Sequence, residues 1–163
     1  TTGSWTEPQS AVDLYNRALR SLSSGDYDRA LEGLDQALEL DSTMAPAYYN
    51  RGLTHYQKGD EDLAIRDFSS AQRLGFNDAL LFRNRANAYS RKGDVARALA
   101  DYEQAIELEP GNPLAYLNRG EVYENTLQRE LAIADYKAVL NLVCEPRWHD
   151  KARERLLGMG VAV

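Results

Sequence analysis

Three side-chain chemistries recur in this chain at one fixed spacing. The dipeptide Asn-Arg stands at Asn16-Arg17, Asn50-Arg51, Asn84-Arg85 and Asn118-Arg119, each copy 34 residues after the last. Aspartate recurs at the same interval at Asp67, Asp101 and Asp135. A guanidinium presents a planar fork of donors that a carboxylate accepts in two bonds, whereas an amide offers donor and acceptor together. Adjacent helical positions lie about 100° apart, so the two residues of each dipeptide cannot share a face. Arg51 falls three residues after Tyr48 and four before His55, on or beside a packing stripe. An unpaired charge there is costly. Arg51, Arg85 and Arg119 are therefore expected to pair with Asp67, Asp101 and Asp135, within a unit or to the preceding one. Gly33 stands where the first unit's aspartate would be, so Arg17 must find another partner or solvent.

No catalytic constellation accompanies these groups. His55 and His149 belong to different elements, and neither has a second ligand at metal spacing. His55 reads as a core histidine. Cys144 is the single cysteine, which excludes an intrachain disulfide, and no activating neighbour marks it as a nucleophile. Neither a phosphate-cradling glycine loop nor a Gly-x-Ser-x-Gly elbow is present. The expectation is a non-enzymatic protein with no cofactor and no metal.

The elements that position the recurring groups follow the same period. A fixed repeat in this range signals stacked supersecondary units. The units are 11–44, 45–78, 79–112 and 113–146, each reading as two amphipathic helices of roughly 12–14 residues. Gly25-Asp26, Gly59-Asp60 and Gly93-Asp94 mark the turns inside the first three, glycine suiting a left-handed helix end and aspartate an N-cap. In the fourth, Leu127-Gln128 replaces Gly-Asp, and Asn125 is expected to take the left-handed conformation. Ser42, Gly75-Phe76, Pro110 and Pro146 mark the stops between units. Small residues (Ala18, Gly52, Ala86, Gly120, then Ala30, Ala64, Ala98, Ala132) alternate with large ones (Leu14, Tyr48, Phe82, Tyr116, then Leu34, Phe68, Tyr102, Tyr136). Such knobs and holes bury a core only when neighbouring helices stack. After Pro146, residues 147–157 read as a capping helix through Trp148, Ala152, Leu156 and Leu157, and residues 158–163 as a flexible tail. Residues 1–10 read as an N-terminal segment with a lone Trp5.

These residues resemble the tetratricopeptide repeat (TPR) family, whose 34-residue helix-turn-helix pattern of aromatic, Gly/Ala, Tyr, Gly, Ala, aromatic, Ala and Pro they follow from Ala11 to Pro146. The departures are His55 and Ser21 at an aromatic position, Ser42, Phe76 and Cys144 in place of the late proline, and the Leu127-Gln128 turn. The resemblance implies an all-α fold, a right-handed α-α superhelix of about nine helices, with the first helix of each unit lining a concave groove. It places Asn16, Asn50, Asn84 and Asn118 toward that groove, where amides could bond the backbone of an extended peptide or water. Around this ladder the expected groove positions vary. They are Val12, Tyr15, Leu19, Leu22, Tyr49, Leu53 and Tyr56 in the first and second repeats, Arg83, Asn87 and Arg91 in the third repeat, and Leu117, Glu121, Glu124 and Asn125 in the fourth repeat. The face thus grades from apolar through basic to acidic. An apolar patch of this kind marks an interaction site, unless Trp5 and its neighbours fold back over it. Arg83, Asn87 and Asn118 also resemble part of a carboxylate clamp for chaperone tails, although Lys151 is offset from the third clamp position and Glu121 and Glu124 would repel the ligand.

The bulk composition agrees with a folded interaction module. A hydrophobic fraction of 44% with 27% charged residues belongs to a globular chain. A net charge of -6 argues against nucleic acid as partner. No apolar run reaches the ~18 residues a membrane span needs. The chain begins Thr1-Thr2-Gly3-Ser4 and reads as processed or truncated, so the compartment stays open between cytoplasm and a periplasmic or lipoprotein location after signal removal. Arginine outnumbers lysine, as in GC-rich bacterial genomes. The expected function is a scaffold that binds an extended or helical peptide of a partner protein. Alternatives are a structural homo-oligomer built through the groove or the C-terminal helix, and a partial carboxylate-clamp co-chaperone. The expected state is a monomer or weak homodimer.

Overall fold

A computed structural model describes residues 10–162, and the segment carrying Trp5 lies outside the described residues. Among them are nine α-helices and no strand. The chain divides into two compact units, Thr1–Asn77 and Asp78–Val163. The first holds two hairpins, α1 (Ala11–Ser23) with α2 (Tyr27–Leu40) and α3 (Ala45–Lys58) with α4 (Glu61–Arg73). The second holds α5 (Ala79–Arg91) with α6 (Val95–Leu108), α7 (Pro113–Asn125) with α8 (Arg129–Leu140), and a single helix α9 (Pro146–Gly158).

Local chemistry sets the helix ends. Ser10 and Asp13 form a reciprocal capping box on α1. Asp26 and Asp94 cap α2 and α6 by accepting the N–H of Arg29 and Arg97, as the Gly-Asp turns predict. Asp60 makes no such side-chain cap. Gly25, Gly59 and Gly93 have φ of 76°, 85° and 77°. The fourth turn corrects the sequence expectation: Asn125 ends α7 in helix, and Leu127 takes the left-handed place with φ 59°. Its backbone bonds explain why. Leu127 N–H donates to Glu124 O and Gln128 N–H to Tyr123 O, just as Gly93 and Asp94 donate to Ser90 O and Tyr89 O. The hairpin geometry demands αL at that register whichever residue stands there.

Close packing within hairpins follows the small–large alternation. A β-carbon on Gly52 would come 2.9 Å from the Phe68 ring, and one on Gly120 would come 2.7 Å from Tyr136. In unit one, Ala18, Leu34, Leu38 and Ala47 form a buried cluster against Tyr15, Met44 and Tyr48. In unit two, Leu117, Ile133, Tyr136 and Val139 are sealed by Ala152 and Leu156 of α9, with Trp148 at the edge. Leu157 turns outward instead, 60% exposed. Helix α9 also starts on Pro146, one residue before the expected span, because a fixed φ and no N–H suit a first turn. The tail expected to be flexible from residue 158 is folded back: Met159 and Val161 pack on the same core, and Val161 N–H reaches Leu156 O at 2.9 Å.

Buried ion pairs join the two helices of three hairpins. Arg51 forks onto Asp67 with bonds of 2.7 and 2.8 Å, Arg85 onto Asp101 with 2.6 and 2.8 Å, and Arg119 onto Asp135 with 2.9 and 2.7 Å. Each guanidinium also lies over the aromatic ring three residues before it, Tyr48, Phe82 or Tyr116. The bonds to Asp67 and Asp135 raise the pKa of Arg51 and Arg119. For Arg85 burial pulls the pKa down, and Asp101 more than offsets it. These charges are bracing between helices.

Candidate functional site

The candidate contact surface of each unit lies on the first helices of its hairpins. In unit one it comes from α1 and α3. Asn50 donates one amide hydrogen to its own helix at Pro46 O (2.9 Å) and the other to Tyr15 Oη on α1 (2.9 Å). Both donors are thus spent within the protein, and the amide oxygen is left to accept from a ligand N–H. Burial raises the Tyr15 pKa, while the bond from Asn50 opposes this. Around the pair stand Leu19, Leu53 and Tyr56, all half-buried, with exposed Asn16 and a 56% exposed Val12 at the edge. Tyr49 is drawn aside: its ring stacks on Phe76 at 4.8 Å and tilts against Phe68 at 5.8 Å.

In unit two the face is more polar. Asn87 Oδ1 accepts from both Asn118 Nδ2 (3.0 Å) and Tyr102 Oη (2.5 Å). Arg83 is half-buried, and its Nε finds no hydrogen-bond partner among the described residues. Asn84 is half-buried and Arg91 exposed.

The acidic end expected around unit four is altered by α9. Arg155 bonds Glu121 at 2.8 Å and approaches Glu124 at 3.6 Å, while Tyr136 Oη donates to Glu124 at 2.8 Å. Burial followed by the Glu124 bond raises the Tyr136 pKa. Leu117 is not a groove residue at all. It is 3% exposed, because α9 packs on α7 and α8 and covers it. The signal for Arg155 was available: it stands 34 residues after Glu121, at the equivalent place on the next helix.

His55 is half-buried, with Nδ1 lacking a partner among the described residues and Asp60 and Asp67 each at 3.9 Å. Burial lowers its pKa, with the facing carboxylates opposing and Arg51 assisting. Among the described residues no group of three or more His, Cys, Asp or Glu side chains could hold a metal ion.

Helical hairpins repeated every 34 residues and braced at matching places define the class of α-helical repeat proteins. Two family models single out the kind. One, described as TPR repeat, matches residues 22–59 and 86–126, and one described as Tetratricopeptide repeat matches 45–74 and 114–142. The chain belongs to the tetratricopeptide repeat family. No protein of curated function matches its sequence. Solved structures share the all-α fold. A MamA protein is 24% identical with TM-score 0.78, over 96% of this chain and 80% of its own. YrrB, described as a TPR protein with an unusual peptide-binding site, is 26% identical with TM-score 0.77, over 93% and 79%. The first TPR of Spaghetti (RPAP3), bound to the HSP90 peptide SRMEEVD, is 22% identical with TM-score 0.70, over 77% and 99%.

Proposed function

We propose that the chain is a non-enzymatic scaffold that binds an extended or helical peptide of a partner protein on the first-helix face of its repeats. The Asn50–Tyr15 pair carries this reading. It fixes an amide so that its oxygen alone remains available, beside the half-exposed apolar surface of Leu19, Leu53 and Tyr56. A fixed acceptor satisfies peptide N–H groups of any sequence, and the apolar neighbours select side chains. The contact set is Tyr15, Asn16, Leu19, Tyr49, Asn50, Leu53 and Tyr56 in unit one and Arg83, Asn84, Asn87, Arg91, Asn118 and Glu121 in unit two. YrrB and RPAP3, each described with a peptide site or a bound peptide, support the same class of function. The repeats 11–44, 45–78, 79–112 and 113–146 serve as the modules and α9 as their cap.

Selection of displayed peptides on the wild-type chain tests this. Replacing Tyr15 by Phe, which keeps the ring that packs on the core, or Asn50 by Ala should weaken the selected peptides about tenfold, roughly 1.4 kcal/mol, with little change in melting temperature. Peptides that bind both variants as well as wild type would overturn the assignment. Light scattering addresses the competing oligomer reading, which a monomer at working concentration eliminates.

One observation favours a second reading, a carboxylate-recognising site in unit two. Arg83 is a cation, the Asn87 amide has its oxygen already engaged and offers donors, and Arg155 neutralises Glu121. Peptides differing only in a free or amidated C-terminus separate the two readings. Equal binding excludes the clamp.

A further inference from the structure

The first hairpin carries a charged cluster that the proposed peptide face does not use. Arg17, Arg20 and Arg29 line one open cavity of about 260 Å³ together with Ser21, Ser24 and Asp26. A smaller, more enclosed cavity, also lined by Arg17 and Arg29, has Glu32 in its wall. All three arginines are exposed, and among the described residues none of them makes an ion pair. Asp26 is already engaged, its carboxylate accepting the Arg29 backbone N–H at 3.2 Å.

Arg17 is the repeat equivalent of Arg51, and the two differ in their partners. Arg51 receives two carboxylates, Asp67 from its own hairpin and Asp35 from the second helix of the preceding one, the latter at 2.7 Å. Arg119 likewise has Asp135 and feels Glu103, the counterpart of Asp35 two repeats on. Arg17 has neither. Its own hairpin supplies Gly33, which carries no carboxylate, and a β-carbon there would stand in a tight 3.0 Å contact with Ala18 Cβ. No helix precedes α1 among the described residues to supply the other. Three positive groups therefore gather where the repeat pattern calls for a carboxylate, on a chain whose net charge is -6.

We propose that the Arg17–Arg20–Arg29 face binds an acidic helical segment of a partner protein, one of whose carboxylates stands toward Arg17 as Asp35 stands toward Arg51. The helical form comes from that template, since Asp35 is delivered from α2 lying against α3. Further acidic residues one turn away on such a helix reach Arg20 and Arg29. This surface is separate from the peptide face, so either assignment can fail alone.

The test monitors the arginine side-chain Nε–Hε resonances of the full chain. The probe is an acetylated, amidated helical peptide of about 16 residues with glutamate on one face, and its Glu-to-Gln counterpart is the control. The expected result is shifts at Arg17, Arg20 and Arg29 with the glutamate probe only. The double variant Arg17→Glu, Arg29→Glu should weaken it about tenfold or more, whereas Arg153→Glu, an exposed arginine on α9, should leave it unchanged. If the double variant fails to melt cooperatively, Arg20→Gln, with an expected loss of about threefold, takes its place. Equal shifts with the glutamine peptide, or an equal loss in Arg153→Glu, overturn the proposal. Inorganic phosphate binding as tightly as the peptide would make this a small-oxyanion site and overturn it too. So would binding seen only after residues 1–9 are removed, which would show that the chain's own amino terminus fills the place.

Discussion

In the third hairpin Arg85 lies over Phe82, forks onto Asp101 and is 8% exposed. In the first hairpin Arg17 holds the same repeat position and is exposed on an open cavity. The difference lies in what faces them: Arg85 has the Phe82 ring and the Asp101 carboxylate, where Arg17 has Leu14 and Gly33. Burial of a charge is set by what faces it. Where a carboxylate stands opposite, the arginine becomes part of the frame. Where glycine stands opposite, the same side chain is left exposed. The two units repeat this contrast on a larger scale. Unit one leaves its first-helix face half-exposed, whereas unit two has its end covered by α9 and its acidic residues neutralised by Arg155.

Urea unfolding can break or sharpen the contrast. The largest effect is expected at the brace: Arg85→Ala strands the buried Asp101 and should cost about 3–4 kcal/mol, whereas Arg17→Ala should cost less than about 0.5 kcal/mol. Similar losses from the two would dissolve the distinction. Joint replacement of Arg85 by Met and Asp101 by Leu should recover most of the stability, since the pair's net worth is small once neither charge is left alone. Next comes the covering helix. Leu156→Ala should cost about 3 kcal/mol and speed amide exchange in α7 and α8, with no change in α1–α4. In the first hairpin, Gly33→Asp should destabilise by about 2 kcal/mol rather than restore a brace, because its β-carbon would crowd Ala18 Cβ at 3.0 Å. A gain in stability would mean that the helices can part to admit the ion pair. Leu127→Gly should stabilise unit two by about 1 kcal/mol, since Leu127 is 91% exposed and held at positive φ.

The smallest effect is one of pH. The folded-state pKa of His55 lies below its ordinary 6.5, chiefly through burial. The neutral form is therefore favoured by folding, and its contribution is fully present above about pH 6.5. It is lost as pH falls below that value toward the folded pKa. A His55→Phe variant should show a flatter stability profile across this window, and an unchanged slope would count against a buried neutral histidine.

The brace was legible in the sequence because it depends on register. Arg51 with Asp67, Arg85 with Asp101 and Arg119 with Asp135 stand 16 residues apart each time, and two helices joined by a fixed turn must bring such positions together. The candidate face was legible only as a set of positions. Nothing local to Asn50 says that both its hydrogens are consumed by Pro46 and Tyr15, because that depends on how α1 lies against α3. Leu117 and Asn125 escape the sequence for a related reason. Analogy with the other repeats assigns each of them a role, but the fourth repeat differs in the helix packed against its end and in the residue at its turn.

The sequence alone determined the period, the hairpins, the aspartates that must meet the arginines, and the small residues that let helices approach. These are properties of chain geometry, set by the 34-residue register. Tertiary structure decided the rest: that Leu117 is covered, that Arg155 answers Glu121, and that Asn50 is left with an acceptor only. The physical reason is that availability belongs to no residue by itself. It depends on whether a neighbour from another helix has already taken the hydrogen bond, the charge or the space.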